Sequence, residues 1–246
     1  MIIDCIADLH GYYPKLDGGD LLIVAGDLTA RDSAIQLYDF MDWIMNDCCY
    51  KKRIVIGGNH DNILQSNERF MIHDVKNEQR IEYLCDSGTE FEYEVEVPHP
   101  ASTEHVIIDV LCYERRKLKI WGSPWTKTFP GMNPKCKAFT VDTEEGLAEK
   151  WALIPDDVDI LVTHCPPFGV MDDVYNNTTG EFDNTGSGSL SIAIMNRPSI
   201  KLAIFGHIHE SYGKKDAGKE GHRIFVNASH VNERYEPVNK PIRVIL

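Results

Sequence analysis

Several things are scarce or missing in this chain of 246 residues. No apolar run approaches the roughly 18 residues a membrane-spanning helix requires, so no membrane span is expected. Cations are outnumbered, with 25 Lys and Arg against 38 Asp and Glu and a formal net charge of −13. That balance argues against a protein that lives on duplex nucleic acid, where released counterions reward a basic face. It leaves open a locally positive cleft, since net charge says nothing about one site. The opening Met1-Ile2-Ile3-Asp4-Cys5-Ile6-Ala7 lacks a basic leader and carries an aspartate inside its apolar run. It reads as a first strand and not as a signal peptide. No C-x-x-C pair occurs among the 7 cysteines, which removes support for a zinc ribbon or a thioredoxin-type motif. Idle thiols in a reducing, cytoplasmic setting are the expectation. Low-complexity linkers, internal repeats and charge blocks are also missing, so a single domain over residues 1–246 is expected.

What is present is a globular composition, 43% hydrophobic and 26% charged, arranged as short apolar runs alternating with helical patterns. β-type runs lie at 2–7, 21–25, 53–56, 81–84, 118–121, 158–162, 202–205, 224–226 and 242–245. Helical periods cover 33–47, with Ser33 as cap, 62–73, 143–153, with Thr143 as cap, and 190–195. Glu90, Glu92, Glu94 and Glu96 alternate with Phe91, Tyr93, Val95 and Val97, a strand with one wet, acidic face. With 106–113 as its partner it could form an inserted hairpin at about 86–116. The stretch 172–188 is rich in Asp, Asn, Thr and Gly and reads as a long loop. Strand–helix alternation at both ends and strands in the middle suggest an α/β chain with two packed sheets flanked by helices.

Five of the apolar runs end the same way. They stop at Asp8-Leu9-His10, at Asp27, at Asn59-His60-Asp61, at His164 and at His207-Ile208-His209. A lone Asp in such a place is usually a cap, and D-x-H or H-x-H spacing is weak by itself. His73, His99, His105, His222 and His230 therefore read as ordinary surface or core histidines. Five terminated runs together are hard to explain as caps, because ligands of α/β sheets bind at the carboxyl ends of strands. The set has the size of a two-metal site. Asp27, alone on its strand end, is the natural bridging carboxylate. Asp8 and His10 would hold one ion with a histidine of the last pair, and Asn59 and His164 the other with its second histidine. His60 follows a candidate ligand directly and is left free as a proton donor. Asp61 and Arg31 join it as candidate catalytic residues. Mixed carboxylate, amide and imidazole donors suit Mn, Fe, Co, Ni or Zn better than Ca.

These blocks, with Gly26-Asp27, Gly58-Asn59-His60-Asp61, His164-Cys165-Pro166-Pro167 and Gly206-His207-Ile208-His209, resemble in order and spacing the five motifs of the calcineurin-like metallophosphoesterases. The resemblance implies a four-layer sandwich of two mixed β-sheets flanked by α-helices, with a dinuclear site at one edge. It implies that Asp8, His10, Asp27 and His209 bind one metal and that Asp27, Asn59, His164 and His207 bind the other. His60 would be the general acid, and a metal-bound hydroxide would attack phosphorus without a protein nucleophile. A narrower similarity runs through Gly122-Ser123-Pro124-Trp125, Leu153-Ile154-Pro155, and the stretches 159–164 and 206–213. It points to the metallophosphoesterase-domain group related to the brain 239 protein. That group implies hydrolysis of cyclic nucleotide-like phosphodiesters, with Mn as the first metal to try. Arg197-Pro198 and Asn227-Ala228-Ser229 fit the same pattern.

The run 26–32 lacks the Asp-Arg-Gly ending of protein serine/threonine phosphatases, which weakens a phosphoprotein substrate. A small phosphodiester or nucleotide is the expected partner. Trp125, Phe129 and Phe168 lie after strands, where an aromatic ring could stack a base. A phosphomonoesterase and an inactive binding scaffold are the alternatives. Retention of His207 and the other ligand positions favours an active enzyme.

Overall fold

The computed structural model describes all residues except 32, 47–48, 67–80, 99–111, 130 and 218–222. In chain order its strands are β1 (Ile2–Ile6), β2 (Gly19–Ala25), β3 (Tyr50–Ile56), β4 (Ile81–Tyr83), β5 (Ser87–Val97), β6 (Cys112–Ser123), β7 (Thr126–Lys127), β8 (Thr140–Val141), β9 (Ile160–Thr163), β10 (Asp173–Asn176), β11 (Glu181–Asn184), β12 (Leu202–Phe205), β13 (Gly213–Asp216), β14 (Ile224–Asn227) and β15 (Ile242–Ile245). The described helices are α1 (Ala34–Asn46), α2 (Asn62–Ser66), α3 (Glu144–Trp151) and α4 (Gly188–Met195).

The strands build two principal sheets, ordered β15-β1-β2-β3-β4 and β13-β14-β12-β9-β6-β5. Strands β1 to β4 run parallel, with β15 antiparallel at one edge. In the second sheet β6, β9, β12 and β14 are parallel, and β5 and β13 are antiparallel edges. The period of two along each strand sorts side chains into layers. Ile3, Cys5, Leu21, Ile23, Ile54 and Ile56 face Leu118, Ile120, Ile160, Val162, Leu202 and Ile204 in the core between the sheets. Their neighbours Ile6, Leu22, Val24 and Val55 face outward, onto Leu37, Phe40 and Ile44 of α1. On the other side Leu161, Ala203 and Phe205 meet Leu147 and Trp151 of α3 and Leu190 and Ile194 of α4. The result is the expected helix–sheet–sheet–helix sandwich.

Thr143 caps α3 as read from sequence, its hydroxyl accepting from the Gly146 N–H at 3.1 Å. Two expectations need refinement. Of the expected partner of the acidic strand, 106–113, residues 106–111 lie outside the described residues, while Cys112 and Tyr113 pair with Val97 and Glu96. They open β6, which runs on to Ser123 in the register Phe91↔Leu118, because that pairing puts both apolar side chains into the central core. Glu90 and Glu92 then lie across from Lys119 and Lys117. The expected loop 172–188 contains a β10–β11 hairpin, whose turn is closed by Asn176 Oδ1 accepting from the Thr178 and Thr179 N–H groups. Of the helix expected over 62–73, Asn62–Ser66 is helical, and 67–73 lie outside the described residues.

The two sheets are stitched together at the carboxyl ends of their parallel strands. The Ala7 N–H donates to Ala228 O at 2.8 Å, and the His230 N–H donates back to Ala7 O at 2.8 Å. That stitch draws the ends of β1, β2, β3, β9 and β12 to one rim.

Candidate metal centre

Each of these five strands delivers a polar side chain shortly after its last buried apolar residue. Asp8, His10, Asp27 and His207 have positive φ, between 45° and 69°. Such backbone is uncommon outside glycine, and strain of this kind concentrates at functional sites. Two glycines make room. A Cβ on Gly58 would collide with the Asp27 carboxylate, and one on Gly206 with that of Asp8.

The side chains converge. Asp8 Oδ1 lies 3.7 Å from His209 Nε2. Asp27 Oδ2 lies 3.6 Å from His10 Nε2 and 4.0 Å from His60 Nε2, while its Oδ1 lies 3.5 Å from His164 Nε2. His10 and His209 bring their Nε2 atoms within 3.4 Å. Asn59 Oδ1 is 3.1 Å from His164 Nε2, and its amide N–H is spent on Cys136 O. The His207 ring stands 5.0 Å from that of His164. Asp27 thus presents one oxygen to His10 and His60 and the other to His164.

The outward ring nitrogens of His164, His209 and His60 are anchored, while buried His10 Nδ1 has no hydrogen-bond partner among the described residues. His164 Nδ1 bonds Ala25 O at 3.0 Å, His209 Nδ1 bonds Asn232 O at 3.2 Å and His60 Nδ1 bonds Ala30 O at 3.2 Å. Carbonyls placed there fix the tautomer and turn Nε2 inward. Most of the inward separations, 3.4–4.0 Å, are too long for good hydrogen bonds. They are close to the roughly 3–3.5 Å expected between ligands that share an ion at ~2.1 Å. Asp8, His10 and His209 form one set of candidate donors, Asp8, Asp27 and His164 a second, and His10, Asp27 and His60 a third. The residues therefore fit divalent metal ions.

The electrostatics agree. Burial works against ionising Asp27, but His164 and His60 beside it hold its carboxyl well below the usual range. Burial likewise opposes ionisation of Asp8, and His209 overrides it, bringing Asp8 to about 2. Burial would lower His164, yet Asp27 pushes it up to about 9. Burial lowers His10 to about 4 and His207 to about 3, which leaves their lone pairs free at neutral pH.

Asp61 and Arg31 are not among the converging donors. Asp61 is buried, and its oxygens accept from the N–H groups of Leu28, Thr29 and Gly58. These bonds tie the turn that carries Asp27 to the one that carries Asn59. The Arg31 side chain is exposed, and its contact to Gln36 is made by its backbone N–H. Arg197 spends its guanidinium on the carbonyls of Ile154 and Ala193. Of the aromatic candidates, Trp125 is held by Asp86 and covered by Lys150 at 3.7 Å, and Phe168 is not at the cavity. Phe129 is, with its ring 6.4 Å from His207. His230 bonds Asn239 O from a buried position. His73, His99, His105 and His222 lie outside the described residues.

A cavity of about 420 Å³ opens beside Asp27, Asn59, His60, His207 and His209 and runs to Thr126, Leu147 and Ser187. Two residues there were not singled out from sequence. Tyr235 packs on His10 and His209, and Cys136 Sγ lies 3.4 Å from His60 Nδ1. Both sit in loops without periodicity, so no pattern flags them.

The family model described as calcineurin-like phosphoesterase matches residues 1–211, a span that holds every strand end described above. The chain belongs to the calcineurin-like phosphoesterases. It is 33% identical over 245 residues to human metallophosphoesterase domain-containing protein 1, covering 98% of this chain and 70% of that protein. A UPF0046 protein of Caenorhabditis elegans is 29% identical over 248 residues, covering 97% of this chain and 58% of that one. A solved structure superposes with a TM-score of 0.54 at 14% identity, over 92% of this chain and 89% of the other, and shows the shared fold. Metal-dependent phosphoester hydrolysis is the chemistry of this family. Among the described residues no helix is long and apolar enough to cross a membrane.

Proposed function

We propose that this calcineurin-like phosphoesterase is a dinuclear, Mn-supported phosphodiesterase acting on a small, cyclic nucleotide-like diester. One observation carries the reading: Asp27 turns its two oxygens toward two different donor sets. Asp8, His10 and His209 would hold one ion with Asp27, and Asn59, His164 and His207 the other. Divalent ions held there would supply Lewis-acid charge to phosphoryl oxygens and would lower the pKa of a water toward neutral.

The remaining work falls to side chains of the chain. His60 stands at the cavity wall with Nδ1 anchored to Ala30 O, so Nε2 faces the site and can protonate a departing oxygen. Asp61 keeps the two supporting turns in register. Phe129, Met132 and Leu147 give the cavity an apolar wall, and Thr126 and Ser187 give it hydroxyls. A volume near 420 Å³ lies in the range that holds ligands of nucleotide size. The acidic composition speaks for a small substrate over duplex nucleic acid. Free cysteines at 5, 49, 85, 112, 136 and 165 support a cytoplasmic setting.

The test is elemental analysis of purified protein, with hydrolysis of bis(p-nitrophenyl) phosphate and p-nitrophenyl phosphate measured before and after Mn is added. About two equivalents of metal and Mn-restored cleavage of the diester are expected. Preference for the monoester would move the reading to a phosphomonoesterase. Absence of metal and activity under every ion would leave a binding scaffold.

A further inference from the structure

The loop after β14 carries a side chain that the strand-end pattern does not contain. Tyr235 sits at φ 59°, a conformation costly for a bulky residue. Its ring packs edge-on against His10 at 4.9 Å and His209 at 5.2 Å, and lies 6.1 Å from His60. It lines the same cavity as Asp27 and His60 and is 47% exposed. Among the described residues its hydroxyl has no hydrogen-bond partner, although its ring is packed. A phenol is a neutral O–H donor at ordinary pH, so this one has a hydrogen bond to give.

The loop is built to hold this placement. Asn232 Oδ1 accepts from the Arg234 and Glu236 N–H groups, and Asn232 O accepts from the Tyr235 N–H at 2.9 Å. The same Asn232 carbonyl bonds Nδ1 of His209 at 3.2 Å. One residue therefore sets both the tyrosine and a candidate metal ligand.

We propose that Tyr235 is a catalytic contact residue whose hydroxyl donates a hydrogen bond to an oxygen of the bound phosphoester, and that Asn232 is the positioning residue that aims it. The proposal rests on the phosphoesterase reading. It adds a contact that neither the metal-site pattern nor His60 supplies.

The experiment compares wild type, Tyr235→Phe and Asn232→Ala as Mn-loaded full-length protein, with Tyr175→Phe on the exposed β10–β11 hairpin as control. Three quantities are read: metal content, affinity for inorganic phosphate by calorimetry, and kcat and KM for bis(p-nitrophenyl) phosphate. Tyr235→Phe is expected to keep its metal, to bind phosphate at least ~10-fold more weakly and to lose at least ~10-fold in kcat/KM, the lower end of the scale of one hydrogen bond to a charged group. Asn232→Ala should lose phosphate affinity and metal together, and Tyr175→Phe should match wild type. Unchanged phosphate affinity in Tyr235→Phe would overturn the proposal, and so would loss of metal, since the tyrosine would then serve the histidines. If wild type cleaves no ester, the phosphoesterase reading fails, while the phosphate comparison still decides the role of the hydroxyl.

Discussion

His164 is tied to Asp27 from both ends: its Nε2 lies 3.5 Å from Asp27 Oδ1, and its Nδ1 bonds the carbonyl of Ala25, two residues before that aspartate. Strand β9 thus presents its imidazole across the gap between the sheets to the end of β2. Carboxylate and ring are fixed relative to one another before any ion arrives, so little ordering remains to be done on binding.

Asp27→Asn tests that arrangement at nearly constant volume. The amide lacks the charge and cannot offer two equivalent anionic oxygens, so both donor sets lose their shared member. Metal content should fall from about two equivalents to below one, and diester turnover by more than ~10³-fold, the scale of losing the several kcal/mol of charge stabilisation that bound metal supplies. Elemental analysis and kinetics on the same sample check both. Near-normal activity would end the dinuclear reading.

Metal uptake should release protons, with a sign fixed by the electrostatics. In the ion-free site His164 is raised to about 9, so it is protonated at pH 7 and must shed that proton to bind. Asp8, held at about 2, and Asp27, held well below its usual range, are already ionised and release nothing. Apparent Mn affinity should therefore rise with pH by about one log unit per unit from His164 alone, and level off above its pKa. Titration calorimetry in buffers of different ionisation enthalpy gives the proton count directly. A count near zero at pH 7 would show that His164 enters neutral.

His60 should separate from the ligands. His60→Gln keeps a side chain against Ala30 O but removes the proton donor, so kcat should fall ~10²–10⁴-fold with metal retained. The deficit should shrink for diesters with more acidic leaving groups. If His60→Gln loses metal as well, the set of His10, Asp27 and His60 is a coordinating one and the proton donor lies elsewhere.

Asp61 should behave as structure and not as chemistry. Asp61→Ala strands the buried N–H groups of Leu28, Thr29 and Gly58. A loss of about 2–4 kcal/mol is expected in urea unfolding, the cost of several buried donors left unpaired. Metal affinity should fall with it, because both supporting turns loosen. An Asp61→Ala protein of wild-type stability but without activity would return Asp61 to the catalytic list.

The strand ends are readable from sequence because each combines a buried apolar run with a polar stop, and the period of two then fixes which side chain faces the rim. Asp8, Asp27, Asn59, His164 and His207 all belong to that signal. The layers are readable from the apolar runs themselves. The stretch 21–25 is apolar throughout instead of alternating, as a strand buried on both faces of a parallel sheet must be. Asp61 looks catalytic because it follows His60; only the fold shows its oxygens turned back onto Leu28 and Thr29. Arg31 draws attention through its nearness to Asp27, and the chain turns outward between them, leaving its side chain exposed. Tyr235 leaves no trace, because its placement depends on a left-handed backbone and on Asn232, neither of which has a period. The β10–β11 hairpin is hidden by a composition of Asp, Asn and Glu, in strands largely exposed on both faces.

Gly58 offers a test aimed at the site more than at the core. Its Cβ position is filled by the Asp27 carboxylate and backbone nitrogen and lies near the His164 ring, so Gly58→Ala forces the Asp27 turn to move. The three atoms nearest that point belong to Asp27 and His164 and not to the apolar layers, and a folded protein with native circular dichroism is expected. The displaced carboxylate can no longer serve both donor sets, so Mn affinity should drop by at least ~10-fold, the scale seen when groups that orient metal ligands are lost. Gly131→Ala, where a Cβ meets no atom within 4 Å, controls for the loss of a glycine. It should leave Mn affinity unchanged despite its positive φ of 86°. Equal Mn affinity in Gly58→Ala and wild type would mean that the Asp27 carboxylate is free to re-aim, and that the close fit at Gly58 is packing without consequence for the metal.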